Sequence, residues 1–352
     1  MENFRGGVRR RARKPKPTGR FHRDIIVIGA SAGGLDALLK LVDGLPMIDA
    51  SILVVLHSGR AGFSKLPHIL ERHSDQFVVE WASDELEIEP GHIYIAVPDY
   101  HLALEPGRMR LIRGPLENRH RPAIDTLFRS AARVYGPRVI GVVLSGYLDD
   151  GSAGLHAIKR AGGVAVVQDP KDALVPGMPE SAIATTPVDS IAAVDQIPAL
   201  LGRLVQHPFE MGIGGMTPTR EPAKDELVDP KGTPSAYTCP ECHGTLWEVR
   251  DGKLLRYVCR VGHAYSGESM LQDQSDAAER ALWAALRALE ERSDLAVRMA
   301  KRSERNKLHQ LAHRHYELAD SARRDAAILR KLLLENRPTT GRQRHDDLTE
   351  IA

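Results

Sequence analysis

Three residues at the ends of apolar runs could together cleave an acyl bond. Ser31 stands in Gly29-Ala30-Ser31-Ala32-Gly33-Gly34, after the run from Asp24 to Ile28 and before a helical pattern from Leu35 to Leu45. A serine on a tight strand-to-helix turn is presented as a nucleophile, and helix N-terminal amides can stabilise an oxyanion. The same spacing also suits a phosphate or cofactor loop, or a plain turn. A dinucleotide fingerprint, however, wants glycine where Ser31 stands, and an acid where the second run ends in Leu56-His57. His57 closes that run, Ser51 to Leu56, and would reach the same edge of a sheet as Ser31. There it could act as general base and acid, or simply bond a loop carbonyl. A third run, Val139 to Leu144, leads into Ser145-Gly146-Tyr147-Leu148-Asp149-Asp150-Gly151. A carboxylate in that loop could orient the imidazole; an acidic helix cap is the alternative.

The elements that must position these groups follow from hydrophobic patterning. Continuously apolar runs at 24–29, 51–56, 77–80, 92–96, 139–144 and 164–167 alternate with helical patterns, including 65–72, 124–134 and 154–160. Such runs predict a doubly wound α/β fold: a mostly parallel sheet with helices on both faces. Leu102, Leu104, Met109 and Leu111 alternate around Pro106-Gly107, which predicts a hairpin inserted in that sheet. Open α/β sheets bind ligands beyond the carboxyl ends of their strands, where Ser31, His57 and the acidic loop would lie.

All three cysteines fall in a short later segment, as Cys239-Pro240-Glu241-Cys242 and Cys259-Arg260-Val261-Gly262-His263. Two ligand pairs flanking strand-like Leu246–Val249 and Leu255–Val258 predict a small zinc ribbon. Cys239, Cys242 and Cys259 would be joined by His263, with His243 the competing fourth ligand. A site closed by four protein ligands would be structural, so no cofactor is expected for catalysis. Beyond it, a stripe of Leu271, Ala278, Leu282, Ala285, Leu286 and Leu289, and a second of Leu308, Leu311, Leu318, Ile328 and Leu332, predict two long helices. They would pack as an antiparallel hairpin, or on a partner, so oligomerisation through them is open.

Hydrophobic content of 42% and charged content of 27% exclude wholesale disorder, a collagen-like fibre and a membrane bundle. The net charge of +2 hides a segregation: residues 1–23 hold nine basic side chains and one acid, leaving 39 basic and 45 acidic beyond them. The expected organisation is a disordered basic tail (1–22), a catalytic domain (24–205), a linker (206–236), the ribbon (237–265), the helical hairpin (266–335) and a frayed tail (336–352). No apolar run is long enough to span a membrane, and three cysteines are too few for a disulfide framework. A reducing, cytoplasmic setting without membrane insertion is expected. Nucleic acid is not an expected partner, because Arg250, Lys253, Arg256 and Arg260 are balanced by Glu241, Glu248 and Asp251.

Residues 24–203 resemble the catalytic domain of CheB-type protein-glutamate methylesterases. The resemblance runs through the Ser31 loop, His57, Leu144-Ser145-Gly146, Asp149-Asp150-Gly151, Asn118-Arg119-His120-Arg121-Pro122 with Asp125 and Phe128, and a late loop, Pro176-Gly177-Met178-Pro179-Glu180. It implies Ser31 as nucleophile, His57 as base and acid, and Asp150 as third member. The amides of Ala32 and Tyr147 would be oxyanion donors, and Arg119, Arg121 and Met178 substrate contacts. The implied reaction removes methyl groups from glutamate γ-methyl esters of a chemoreceptor or other methylated signalling protein, through an acyl-enzyme, with glutamine deamidation as a second activity. A scaffold that keeps the fold without using the activity is the alternative. Two departures stand out. Family members usually carry a receiver domain before the esterase, where this chain has residues 1–23, so no attached receiver is expected. Tyr147 and Leu148 stand where the family commonly has Met and Gly.

Overall fold

The sheet that carries the candidate residues has seven strands, all parallel. In the computed structural model, which describes residues 20–57, 65–74, 76–210, 232–251 and 254–335, these are β1 (Ile25–Ala30), β2 (Ser51–Leu56), β3 (Val78–Trp81), β4 (His92–Ile95), β7 (Val139–Val143), β8 (Val164–Gln168) and β9 (Ser190–Ala192). Their order across the sheet is β9-β8-β7-β1-β2-β4-β3. Every residue of β1 and β2 is buried, as expected for strands covered on both faces.

Alternation divides the core in two. Ile26, Ile28 and Ala30 of β1 pack with α1 (Gly34–Asp43), α2 (Leu66–Glu71) and α6 (Ile197–Gln206). Ile25 and Val27 pack with α3 (Ile124–Tyr135), α4 (Ser152–Arg160) and α5 (Gly177–Thr185). The chain winds from β1 to one side through β2 and returns to the other through β7. The exits of β1, β2 and β7 therefore adjoin at the switch point, where such sheets open a crevice.

Two expectations change here. The hairpin, β5 (His101–Glu105) and β6 (Arg108–Ile112), is not inserted in the sheet but forms its own two-stranded ribbon. Its Leu102, Leu104 and Met109 join the core on the α3 side, because an alternating strand pair has only one apolar face to bury. The Pro176–Glu180 segment, read as a loop, is the start of α5.

The 1–22 tail and the 206–236 linker are shorter than expected. Arg20–Phe21 pairs antiparallel with Phe209–Glu210, and Thr233 already begins a strand. Residues 1–19, 211–231 and 336–352, with the remainder of those expectations, lie outside the described residues. A second sheet of β10 (Thr233–Thr238), β11 (Thr245–Asp251), β12 (Leu254–Cys259) and β13 (Ala264–Ser266) is antiparallel and carries the cysteines. It falls in the same compact unit as the large sheet, a unit that ends at Met270.

The second unit starts at Leu271 and contains most of α7 (Gly267–Arg305) and all of α8 (His309–Glu335). Ser293 Oγ donates to the Ala319 carbonyl at 3.1 Å, and Glu290 pairs with Arg330, so the helices run antiparallel. From Arg280 onward the buried positions are Leu286, Ser293, Ala296, Ala300 and Ser303 on α7, and Ala312, Ala319, Ala322 and Ala326 on α8. The expected stripe of Leu308, Leu311, Leu318, Ile328 and Leu332 is exposed. Helices close enough for a side chain to reach the opposite backbone favour small residues along the seam, here all but Leu286.

Candidate active site

Backbone bonds knit three loops together beyond the sheet edge. Ser31 N donates to Ser145 O at 2.9 Å, Leu144 N to Gly29 O at 2.9 Å, and His57 N to Ala30 O at 2.9 Å. Ala30 and Leu56 are register partners, so Ser31 and His57 leave adjacent strands at the same level. Gly33 supplies the positive φ of 69° that lets α1 start directly behind the serine. Backbone bonds among the described residues take up neither the Ala32 nor the Tyr147 amide.

Asp150 is the electrostatic centre of the group. Its Oδ2 lies 3.0 Å from His57 Nε2, with both side chains buried. Neither ring nitrogen of His57 has a hydrogen-bond partner of good geometry among the described residues, so the contact is one of close approach. Oδ2 also accepts the Ile124 amide at 2.8 Å, and Oδ1 accepts Asn118 Nδ2 at 2.9 Å, Gly151 N at 3.0 Å and Asp125 N at 3.1 Å. Burial opposes its charge, but the facing His57 and the Asn118 amide outweigh it and hold the carboxyl below its ordinary range. A carboxylate at Asp150 facing Nε2 favours the tautomer with the proton on Nε2 and the lone pair on Nδ1. That nitrogen is buried and has no hydrogen-bond partner among the described residues.

The second carboxyl in the cluster behaves differently. Burial, and then the charge of Asp150, push Asp125 up to about 7. It accepts Gly154 N at 2.6 Å and Asn118 Nδ2 at 2.9 Å. Two buried carboxyls side by side do not both ionise readily, and the one with more donors keeps the charge.

Two residues of the 118–122 segment, read earlier mainly for its arginines, touch this machinery. His120 stacks on His57 with centroids 3.6 Å apart and planes 11° from parallel. Burial, then the charge of His57, drive its pKa down to about 3, so it is a neutral plate against the His57 ring. Asn118 bridges Asp150 and Asp125. Charge pointed to Arg119 and Arg121, and no spacing in this loop singles out Asn118 and His120. Arg121 is engaged elsewhere, with Nε on Asp99 at 3.0 Å and its other nitrogens on Asp99 and the Gly114 carbonyl. That bonding makes it a tie between loops.

Met178 lies beneath the Gly146 turn. It is fully buried, and its amide donates to Gly146 O at 2.8 Å. A Cβ on Gly146 would stand 2.1 Å from its sulfur, so Met178 is the floor on which the Gly146 turn rests. Ser145 Oγ donates to Ala32 O at 2.7 Å and accepts Val175 N at 2.9 Å, and Ser145 N is held by Gln168 Oε1 at 2.9 Å. The first of these bonds holds the Ala32 carbonyl, and Gly34 N on Ser31 O at 2.8 Å holds the peptide that presents the Ala32 amide. Leu148 adopts a φ of 60°, the left-handed region that glycine occupies without cost. Leu148→Gly should stabilise the protein by up to about 1 kcal/mol; a lower urea midpoint for the variant would contradict the strain.

Asp149 faces the second sheet, accepting Ser266 Oγ at 2.7 Å. Burial lifts it to about 6 while that hydroxyl pulls it down. The unfolded chain therefore releases this proton first, near about 4. Its contribution is full at acid pH and is lost as pH rises to about 6. Asp149→Asn should be more stable than the parent above that range and no more stable below about pH 4. Urea titrations at both ends decide it; an equal difference at both would refute the raised pKa.

Cys239, Cys242, Cys259 and His263 bring one ligand atom each to within 4.8 Å of one another. Cys242 and Cys259 sulfurs are 3.6 Å apart, and His263 Nδ1 is 3.5 Å from Cys259 and 3.7 Å from Cys239. Zinc–sulfur and zinc–nitrogen bonds of their usual lengths place tetrahedral ligands about 3.5–3.8 Å apart, so the residues fit that metal. The geometry selects His263 over His243.

A sequence model of the CheB methylesterase family matches residues 26–201. A protein of Leptospira interrogans, named putative protein-glutamate methylesterase/protein-glutamine glutaminase, is 40% identical over 189 residues, which are 53% of this chain and 97% of that protein. A Geobacter sulfurreducens protein-glutamate methylesterase/protein-glutamine glutaminase is 36% identical over 198 residues, 55% of this chain and 53% of its own length, so the chain spans about half of it. The solved CheB methylesterase catalytic domain of Thermotoga maritima is 34% identical with a TM-score of 0.50, covering 52% of this chain and 98% of that domain. Among the described residues, no helix is long and apolar enough to cross a membrane.

Proposed function

From the premise that the chain belongs to the CheB methylesterase family, we propose that it hydrolyses glutamate γ-methyl esters on a methylated chemoreceptor or similar signalling protein in the cytoplasm. The observation that carries this is the Asp150–His57 contact behind the Ser31 turn, with His57 Nδ1 left as the free basic atom.

Ser31 Oγ adds to the ester carbonyl as His57 Nδ1 takes its proton. The resulting imidazolium is stabilised by Asp150, and the oxyanion by the Ala32 and Tyr147 amides. As the tetrahedral centre collapses, His57 returns the proton to the methoxy group and methanol leaves. Water then enters, loses its proton to His57 and releases the glutamate from Ser31. A glutamine side chain would follow the same course with ammonia as leaving group. The Cys3His group would hold a structural zinc, since four protein ligands leave no open position.

The test is methanol release from a helical protein bearing glutamate methyl esters, with a parallel ammonia assay on the glutamine form. No methanol from any methylated protein or generic carboxyl methyl ester would remove the esterase reading and favour a scaffold.

A further inference from the structure

Asn118 joins the catalytic aspartate to the Cys/His sheet. Its amide nitrogen donates to Asp150 and Asp125, both at 2.9 Å. Its amide oxygen accepts Ser266 N at 3.0 Å and Ser269 Oγ at 3.3 Å. All four hydrogen-bonding capacities of the side chain are thus used, half by the aspartates and half by Ser266 at the end of β13 and Ser269 in the first turn of α7. The loop around it is bound the same way. Asn118 N donates to Ala264 O at 2.8 Å and Ala264 N to Leu116 O at 3.3 Å, a short parallel bridge. Arg256 of β12 reaches Glu117 at 2.8 Å, completing a buried carboxylate already clasped by Arg129 at 2.7 Å.

The strands making these contacts are the two that the ligand cluster joins. Cys259 ends β12, and His263 directly precedes β13. The turn between them is closed by Cys259 N on His263 O and Gly262 N on Cys259 O, each at 3.0 Å. A metal bound to Cys259 and His263 would lock that turn, and with it the position of Ala264 and Ser266. Asn118 and Arg119 hold φ values of 47° and 73°, a strained conformation that persists only where surrounding contacts enforce it.

We propose that the Cys3His site governs the esterase: metal binding fixes β13, β13 fixes the Asn118 amide, and Asn118 holds Asp150 in line with His57. Asn118, Arg256 and Ser266 are positioning residues in this chain of contacts, and zinc is the metal the ligand set fits. The proposal rests on the triad reading above.

The experiment compares the full chain loaded with zinc, stripped by a chelator and reloaded. Stripping should lower kcat for methanol release by about tenfold or more, the scale of a misplaced catalytic group. KM should stay within about twofold, and zinc should restore the rate. Independently of activity, amide exchange should quicken across 116–125 and 264–269 on stripping, with β1 and β2 unchanged. Arg256→Gln, which keeps every metal ligand, should bind one zinc per chain and reproduce part of the kcat loss. Unchanged exchange at 116–125, equal kcat with and without zinc, or no zinc uptake would each overturn the proposal. If neither form releases methanol, the esterase reading fails, and exchange at 116–125 still decides the coupling. Exchange quickening in β1 and β2 as well would mean global unfolding and would likewise overturn it.

Discussion

Ser31→Ala is expected to reduce kcat/KM for methanol release on the order of 10⁴-fold or more. The substitution removes the covalent route but little else. The Ser31 amide still bonds Ser145 O, and the Ser145 contacts that hold the Ala32 carbonyl do not involve the hydroxyl. A residual rate from the oxyanion amides is therefore expected, with an unchanged circular dichroism spectrum and urea midpoint. The matching chemical readout is a fluorophosphonate adduct on the parent protein that is absent from the variant. A variant retaining more than about a tenth of the parent rate would remove Ser31 as the nucleophile.

Asp150→Asn should cost on the order of 10⁴ in kcat, through the tautomer of His57. The carboxylate is surrounded by donors: the amides of Ile124, Asp125 and Gly151, Asn118 Nδ2, and His57 Nε2. An asparagine has one acceptor and one donor group for these positions. Whichever way it turns, an NH₂ meets a backbone N–H: Ile124 beside His57 on one side, Asp125 and Gly151 on the other. Facing His57, it forces the lone pair onto Nε2 and the proton onto Nδ1, where the base must be. Facing the amides, it leaves buried donors unpaired and lowers stability as well. Single-turnover rates with unfolding midpoints separate the two orientations. A rate within about tenfold of the parent would show that Asp150 is not the group that orients His57.

The triad candidates were legible because each stands at the exit of a continuously apolar run, and such runs must lie inside a parallel sheet. Position in sequence then gives position on the edge. The Cys/His cluster was legible from ligand spacing. Asn118 and His120 were not, since their loop has no periodicity and their roles depend on what lies across from it. The leucines of α8 misled for a related reason. Hydrophobic spacing marks a helix face as apolar but does not say how closely a partner helix approaches, and here the seam admits alanine and serine.

The sequence alone determined the class of fold, the edge where chemistry is placed, and the identity of serine, histidine and four metal-ligand candidates. Only the tertiary structure decided that Asp150 faces His57 while its neighbour Asp149 faces the second sheet, that Arg121 is bonded between loops and Met178 is buried, and that the cysteine sheet is bonded to Asn118 beside Asp150. The physical reason is range. Patterning and knuckle spacing are local properties, set within a few residues along the chain. Burial, shared protons and the four bonds of the Asn118 amide come from groups as far apart in sequence as Asn118 and Ser266, which no local pattern brings together.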